Sequence, residues 1–197
     1  MGPDEERRRG DAVQCAAALA TVVMAALVAD RHPTADRRVF AALNHHESDP
    51  AVLRVVQQLG IPWVLPGTAV AAVATGHRGL ALAAALALPV EKALEVGIKK
   101  VRTTPRPLYV EPTVLRDDAP VEGGSFPSGH AAIAFTAVRL VAPYVPRPLA
   151  ASLFGCAAVA AGVRVSQGAH HPVDVVGGAA LGVGIGAGLT YVAARTR

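Results

Sequence analysis

Three short stretches of this chain hold the residue types from which a charged site is built. In the first, KKVRTTPRP, Lys99, Lys100, Arg102 and Arg106 crowd the end of an apolar segment, and Pro105 and Pro107 bar a helix from continuing. Read alone, such a cluster is either an anion site or a basic collar touching anionic lipid headgroups. The second, Pro127-Ser128-Gly129-His130, is a turn that opens an apolar run. A helix starting there offers unpaired N–H groups and a partial positive charge, a cradle for an anion. It is equally a plain helix start with Ser125 or Ser128 as the N-cap. In the third, RVSQGAHHPVD, Arg164, His170 and Asp174 fall between two apolar runs. A histidine followed four residues later by aspartate lets the carboxylate hold one ring nitrogen. Such ionisable groups are either interfacial or, inside a membrane bundle, functional.

The elements that must position these stretches are hydrophobic. Of 197 residues, 52% are hydrophobic and 17% charged, and the mean hydropathy is +0.37, which suits a bilayer better than water. The net charge of +4 is scattered between apolar runs rather than gathered in a stripe, which argues against nucleic acid as a partner and for juxtamembrane cations. Cys15 and Cys156 lie inside apolar runs and read as buried free thiols, not as a disulfide framework or a metal site. A membrane helix takes about 20 mostly apolar residues. Ala12–Ala29, Val55–Gly76, a third run from Gly79 to Lys100, a fourth from near His130 to about Tyr144, Leu149–Val163 and Val175–Ala194 are the candidates. Arg7–Arg9 precede the first run as in a signal peptide, but it exceeds the roughly 7–15 residues of such a core.

The expected fold is therefore all-α: an integral membrane bundle of six transmembrane helices forming one domain over residues 1–197, with residues 1–10 as an N-terminal tail. A short interfacial helix is expected between spans one and two, where Val39, Phe40 and Leu43 share a face. His32, His45, His46 and His77 read as solvated surface residues. In the last span Gly178, Gly182 and Gly186, and separately Gly184 and Gly188, recur every four residues, a spacing that lets helix backbones approach closely. No internal repeat of the kind that marks many transporters is visible. Six spans put both termini on one side and gather the three stretches on the other.

As a set, the stretches carry more than each does alone. Lys99 followed after six residues by Arg106-Pro107, then Pro127-Ser128-Gly129-His130, then Arg164, five residues, His170, three residues and Asp174 resemble the three-part signature of the type 2 phosphatidic acid phosphatase family. That family includes vanadium haloperoxidases and bacterial acid phosphatases. The motifs cover residues 99–174, and the six-span layout extends the likeness over nearly the whole chain. Val163 stands where the family usually has serine, and His171 where an aromatic residue commonly follows the motif histidine. The second departure leaves two adjacent candidate nucleophiles; spacing to Arg164 and Asp174 selects His170.

The resemblance implies that His170 attacks phosphorus and forms a phosphohistidine, with Asp174 fixing its tautomer as the aspartate of a serine-protease triad does. It implies that His130 protonates the leaving oxygen and then activates water. Hydrolysis without a metal or cofactor needs cations and N–H donors already in place. Lys99, Arg106, Arg164, the Gly129 amide and the Ser128 hydroxyl are the candidates, the guanidinium forks being suited to paired phosphate oxygens.

The expected function is metal-independent hydrolysis of a membrane lipid phosphate or diphosphate: a polyprenyl diphosphate or phosphate, phosphatidate or phosphatidylglycerophosphate. A phosphotransferase using the same intermediate, and a catalytically silent lipid-binding or transport protein, are the alternatives. Haloperoxidase activity fits poorly, because those relatives are soluble. A metal-dependent rival would draw on Asp117 and Asp118, which also read as a solvated loop pair. Glu91, Glu95 and Lys99 share a helical face, with Lys92 beside them, and read as an ion-pair ladder beneath the site. Eight basic residues fall on the side of the termini and eleven on the other; with Lys99, Lys100, Arg102, Arg106 and Arg164 set aside, the balance is eight to six. The positive-inside rule then places the termini in the cytoplasm and the site outside, in a bacterial plasma membrane.

Overall fold

The computed structural model describes residues 2–31, 33–44, 50–116 and 119–193. Among them the chain forms eight α-helices: α1 (Pro3–Ala29), α2 (Thr34–Leu43), α3 (Ala51–Val56), α4 (Val64–Ala74), α5 (Arg78–Val101), α6 (Gly129–Val141), α7 (Arg147–Ser166) and α8 (Pro172–Ala193). Short 3-10 turns cover Gln57–Gly60, Pro107–Tyr109 and Ala142–Tyr144. His32, His45, His46, Asp117 and Asp118 lie outside the described residues.

Membrane-crossing capacity is more limited than six apolar runs suggest. Glu5–Ala29, Arg147–Ser166 and Pro172–Ala193 are long and apolar enough to cross, and the pair Ala51–Gly60 and Val64–Ala74, bent by 74°, makes a fourth if it is one span. The bend falls at Pro62, which pushes the residue before it out of the helical region; Pro66 is tolerated because it sits in the first turn of α4. Helix α5 is long enough, but Glu91, Lys92, Glu95, Lys99 and Lys100 interrupt its hydropathy. Helix α6 has 13 residues, about 20 Å at the α-helical rise. It is the central helix, with nearly every residue from Gly129 to Leu140 buried.

Other expectations shift in detail. The tail is helical, because α1 begins at Pro3 and includes Arg7–Arg9. Helix α2 does form, but Phe40 alone of the expected apolar face is buried, whereas Val39 and Leu43 are exposed. Both cysteines are free, but Cys156 is exposed on α7 and Cys15 only half-buried. Many apolar side chains, among them Leu19, Met24, Val73, Val159 and Val192, face outward, as a bilayer allows and water does not.

The centre is the contact of α6 with α8, which run parallel. A Cβ added to Gly178 would lie 2.3 Å from the Ser128 carbonyl oxygen, and one on Gly182 would lie 2.3 Å from that of Ala132. Here the glycine spacing has a structural purpose: the backbones touch where side chains would hold them apart. Helix α1 lies antiparallel on α8, with Ala18 beside Gly184 and Cys15 beside Gly188. Near the termini, Arg139 of α6 bonds Asp11 and Gln14 of α1, all three within the bundle's polar end. Three apolar clusters complete the packing, one joining Leu65, Ala84, Ile133 and Leu140, another Val22, Ala29, Phe126, Leu181 and Ile185, and a third Ala134, Val138 and Ala157.

This contact predicts that Gly182→Ala forces α6 from α8 and costs about 1–3 kcal/mol. Gly155→Ala, where an added Cβ meets nothing within 4 Å, should cost no stability. Thermal melts of the two variants in detergent check this; equal melting temperatures would contradict it.

Candidate active site

The three stretches meet at one end of the bundle. The loop 122–128 descends from the surface and is pinned on both sides: Ser125 N–H donates to the Thr104 carbonyl at 2.8 Å and Ser128 N–H to the Asp174 carbonyl at 3.0 Å. Ser128 is the N-cap of α6, its hydroxyl accepting from Ala131 N–H. Ser125 has a different partner. Its hydroxyl donates to Asp174 Oδ2 at 2.6 Å and lies 3.4 Å from His170 Nδ1.

Asp174 is fully buried in the first turn of α8. A carboxylate there is favoured by the helix dipole. Its Oδ2 also accepts His171 N–H at 2.8 Å, and stands 3.8 Å from His170 Nδ1 and 3.7 Å from His171 Nδ1. The loop carrying the two histidines leaves α7 through Gly168 at φ +77°, where an added Cβ would lie 2.7 Å from Thr113 and 2.8 Å from the Val114 carbonyl oxygen. Only glycine suits both that conformation and that space. Ala169 and His170 N–H groups then return to the Arg164 carbonyl.

His170 is buried, with Nδ1 turned toward Ser125 and Asp174, so Nε2 is the outward nitrogen. Burial lowers its pKa; Asp174 pulls the other way, and the charges of Arg106 and Lys99 add to the lowering. A ring that stays neutral near pH 7 keeps the lone pair a nucleophile needs.

Of the expected cations, Arg106 and Lys99 are close enough for their charges to act on this ring. Arg106 is buried, with Nε donating to the Glu122 carbonyl and Nη1 to that of Ala169, each at 2.9 Å. Two of its five N–H donors therefore fix the guanidinium beside the histidine loop. Arg164 Nη1 donates to Gln167 Oε1 at 2.6 Å, and Gln167 Nε2 to Gln57 Oε1 at 2.9 Å. Lys99 Nζ bonds Glu95 Oε1 at 2.6 Å, and Lys92 Nζ bonds Glu95 Oε2 at 2.6 Å, so the ladder exists with Glu95 at its centre. An added Cβ on Gly129 would lie 2.6 Å from Glu95 Oε1, so this carboxylate is packed directly against the start of α6.

His130, the second residue of α6, is half-buried, and its ring packs on the 3-10 turn: a Cβ on Gly60 would lie 2.4 Å from His130 Cδ2. His130 is thus at the mouth of the helix, walled by Gly60. His77 is exposed and stacks edge-on with Tyr144. Among the described residues, no three His, Cys, Asp or Glu side chains are grouped as ligands of a metal ion would be.

Several site residues escaped the motif. His171 Nε2 lies 2.8 Å from Glu111 Oε1, its ring stacks on Phe40, and Glu111 pairs with Arg37 at 3.6 Å. Burial depresses the pKa of His171, but Asp174, Glu111 and Asp36 outweigh that and raise it. Asp36 accepts Val173 N–H at 2.8 Å, and Asn44 bonds both Val114 and Ser166. Helix α2 is therefore a brace for the histidine loop. Its sequence signal is only a polar, charged helix between two apolar runs, which does not indicate what it braces.

The lowered pKa of His170 gives a pH dependence with a definite sign. The neutral ring persists as pH falls through the ordinary value near 6.5 and is lost only below it. The acid limb of kcat/KM should lie below pH 6.5, and a limb above that value would contradict the assignment of His170.

The PAP2 superfamily model matches residues 78–197. No curated protein matches the chain. Among solved structures, the crystal structure of Aquifex aeolicus LpxE is similar with a TM-score of 0.66 at 23% identity, over 81% of this chain and 94% of that one. The likeness to LpxE is one of fold. With the family model covering more than half of the sequence, this chain belongs to the PAP2 superfamily.

Proposed function

We propose that the protein hydrolyses a membrane lipid phosphate or diphosphate through a phosphohistidine on His170, without a metal. The observation that carries this reading is the contact set Asp174–Ser125–His170, with Arg106 fixed beside it and Lys99 in electrostatic range. His170 Nε2 attacks phosphorus and forms the N–P bond while the bond to the lipid oxygen breaks. His130 gives its proton to that oxygen, and the lipid alcohol, or monophosphate from a diphosphate, departs. His130 then takes a proton from water, whose oxygen attacks phosphorus, releasing phosphate and restoring His170.

Charge builds on the phosphoryl oxygens and is met by Arg106, Arg164, Lys99, the Gly129 amide and the Ser128 hydroxyl. Asp174 holds the proton of Nδ1 in place and balances the charged ring, with Ser125 between them. The site lies at the end of the bundle away from Arg7–Arg9, and with the termini in the cytoplasm it faces the extracytoplasmic side of a bacterial plasma membrane. In the six-span topology we propose, α5, with its ionised residues turned inward, and the short α6 complete the bundle around the site. Polyprenyl diphosphate or phosphate, phosphatidate and phosphatidylglycerophosphate are the substrate classes consistent with such a site.

The test is phosphate release by detergent-purified protein with EDTA present, across those lipids. Release is expected, together with a loss of about 10³-fold or more in kcat for Asp174→Asn and for His170→Ala. Unchanged activity of His170→Ala would overturn the nucleophile; headgroup or phosphate transfer to an added alcohol in place of water would identify a transferase.

A further inference from the structure

His171 takes no part in the steps above, although it is almost fully buried beside them. Both of its ring nitrogens face carboxylates: Nε2 lies 2.8 Å from Glu111 Oε1, and Nδ1 lies 3.7 Å from Asp174 Oδ2. A neutral imidazole donates from one nitrogen only, whereas an imidazolium donates from both. Resting on the phosphatase reading above, we propose that His171 is held as an imidazolium and, acting through Asp174, is a positioning residue that keeps the His170 ring neutral at lower pH.

Both rings draw on one oxygen. Asp174 Oδ2 stands 3.8 Å from His170 Nδ1 and 3.7 Å from His171 Nδ1, and it also accepts the Ser125 hydroxyl and His171 N–H. The other oxygen, Oδ1, is buried with no hydrogen-bond partner among the described residues. The two ring distances are too long for hydrogen bonds, so what reaches each ring is the charge of the carboxylate. The groups facing His171 favour its proton. Asp36 acts from α2, Glu111 from the loop after α5 and Asp174 from α8, while the exposed Arg37 of α2 opposes them by pairing with Glu111 Oε2 at 3.6 Å. Phe40 stacks on the ring with centroids 5.4 Å apart, and His170 is the titratable neighbour in the same loop.

The direction of the effect follows from these charges. A cation at His171 offsets part of the attraction that Asp174 exerts on a protonated His170. His170 then gives up its proton more readily, and Nε2 keeps its lone pair further into acid. Without that cation Asp174 serves His170 alone, so the ring protonates at higher pH and the nucleophile is lost sooner on acidification. A residue that only filled the space beside Phe40 would leave the pH dependence where it is.

Two measurements test this. The first is the pH profile of kcat/KM for the unaltered protein, His171→Phe and Glu111→Gln. Phenylalanine keeps the stack on Phe40 without the charge, and Glu111→Gln removes the carboxylate that faces Nε2. Relative to its own plateau, His171→Phe should be roughly 3–10-fold less active than the unaltered protein on the acid limb, which moves to higher pH. Glu111→Gln should move the limb the same way by less. A limb that stays where it is, or moves to lower pH, in His171→Phe overturns the proposal; should that variant not fold, the same outcome in Glu111→Gln does so. The second measurement needs neither turnover nor a variant at position 171. In magnetic-resonance spectra of the full chain in lipid nanodiscs with isotope-labelled histidine nitrogens, the buried ring whose signals respond to Glu111→Gln should carry protons on both nitrogens near neutral pH. A neutral ring there overturns the proposal. A doubly protonated His171, with the titration of His170 raised in the variants but no hydrolysis of any phosphate ester, would keep the coupling of the two rings and remove the phosphatase reading; hydrolysis with a neutral His171 would do the reverse.

Discussion

A single buried carboxylate organises this protein. Asp174 enters the interior at the first turn of α8, where the helix dipole favours its charge, and its oxygen Oδ2 gathers the Ser125 hydroxyl and the His171 amide beside the His170 ring. Its backbone carbonyl meanwhile accepts Ser128 N–H, which sets the start of α6. One residue thereby fixes the position of the histidine loop, the serine turn and the helix mouth together. Burying a charge this completely is costly unless neighbours satisfy it, and the donors on Oδ2 supply part of that compensation, whereas Oδ1 is buried with no hydrogen-bond partner among the described residues.

The same constraint explains why so many polar side chains are paired in a chain this apolar. Lys92 and Lys99 share the carboxylate of Glu95; Arg164 is held by Gln167, which is held by Gln57; Arg139 is tied to Asp11 and Gln14. Where water is excluded, each cation needs a fixed partner, and fixed partners hold the cations in place before any substrate arrives. Packing between the helices cannot draw on the hydrophobic effect in the same way as in water. Close backbone contact replaces it, as between Gly178 and Ser128 and between Gly182 and Ala132.

Much of the site was legible in the sequence because its residues sit at short spacings that one turn or loop can join. The Asp174 spacing from His170, the cap at Ser128 and the ladder of Glu91, Lys92, Glu95 and Lys99 all follow from local geometry. What escaped reading comes from far along the chain. Asp36, Arg37, Phe40 and Asn44 brace loops more than 60 residues away, and nothing in a surface-like helix names its partner. Hydropathy is less specific about spans for a related reason: over residues 55–76 and 130–144 it records apolar character, not whether a segment bends at Pro62 or ends after 13 residues.

The sequence by itself determined an all-helical membrane chain, its apolar runs, its cap and turn residues, and the three clusters of ionisable groups, because these depend on composition and on neighbours within a turn or two. Only the tertiary structure decided which donors Asp174 binds, that Ser125 rather than Ser128 faces His170, that Glu95 lies against the first turn of α6, and that Gly60 walls the ring of His130. Those are contacts across helices, and their geometry depends on how closely backbones can approach. That approach is set jointly by glycines on one helix and carbonyls on another, so neither segment specifies it alone.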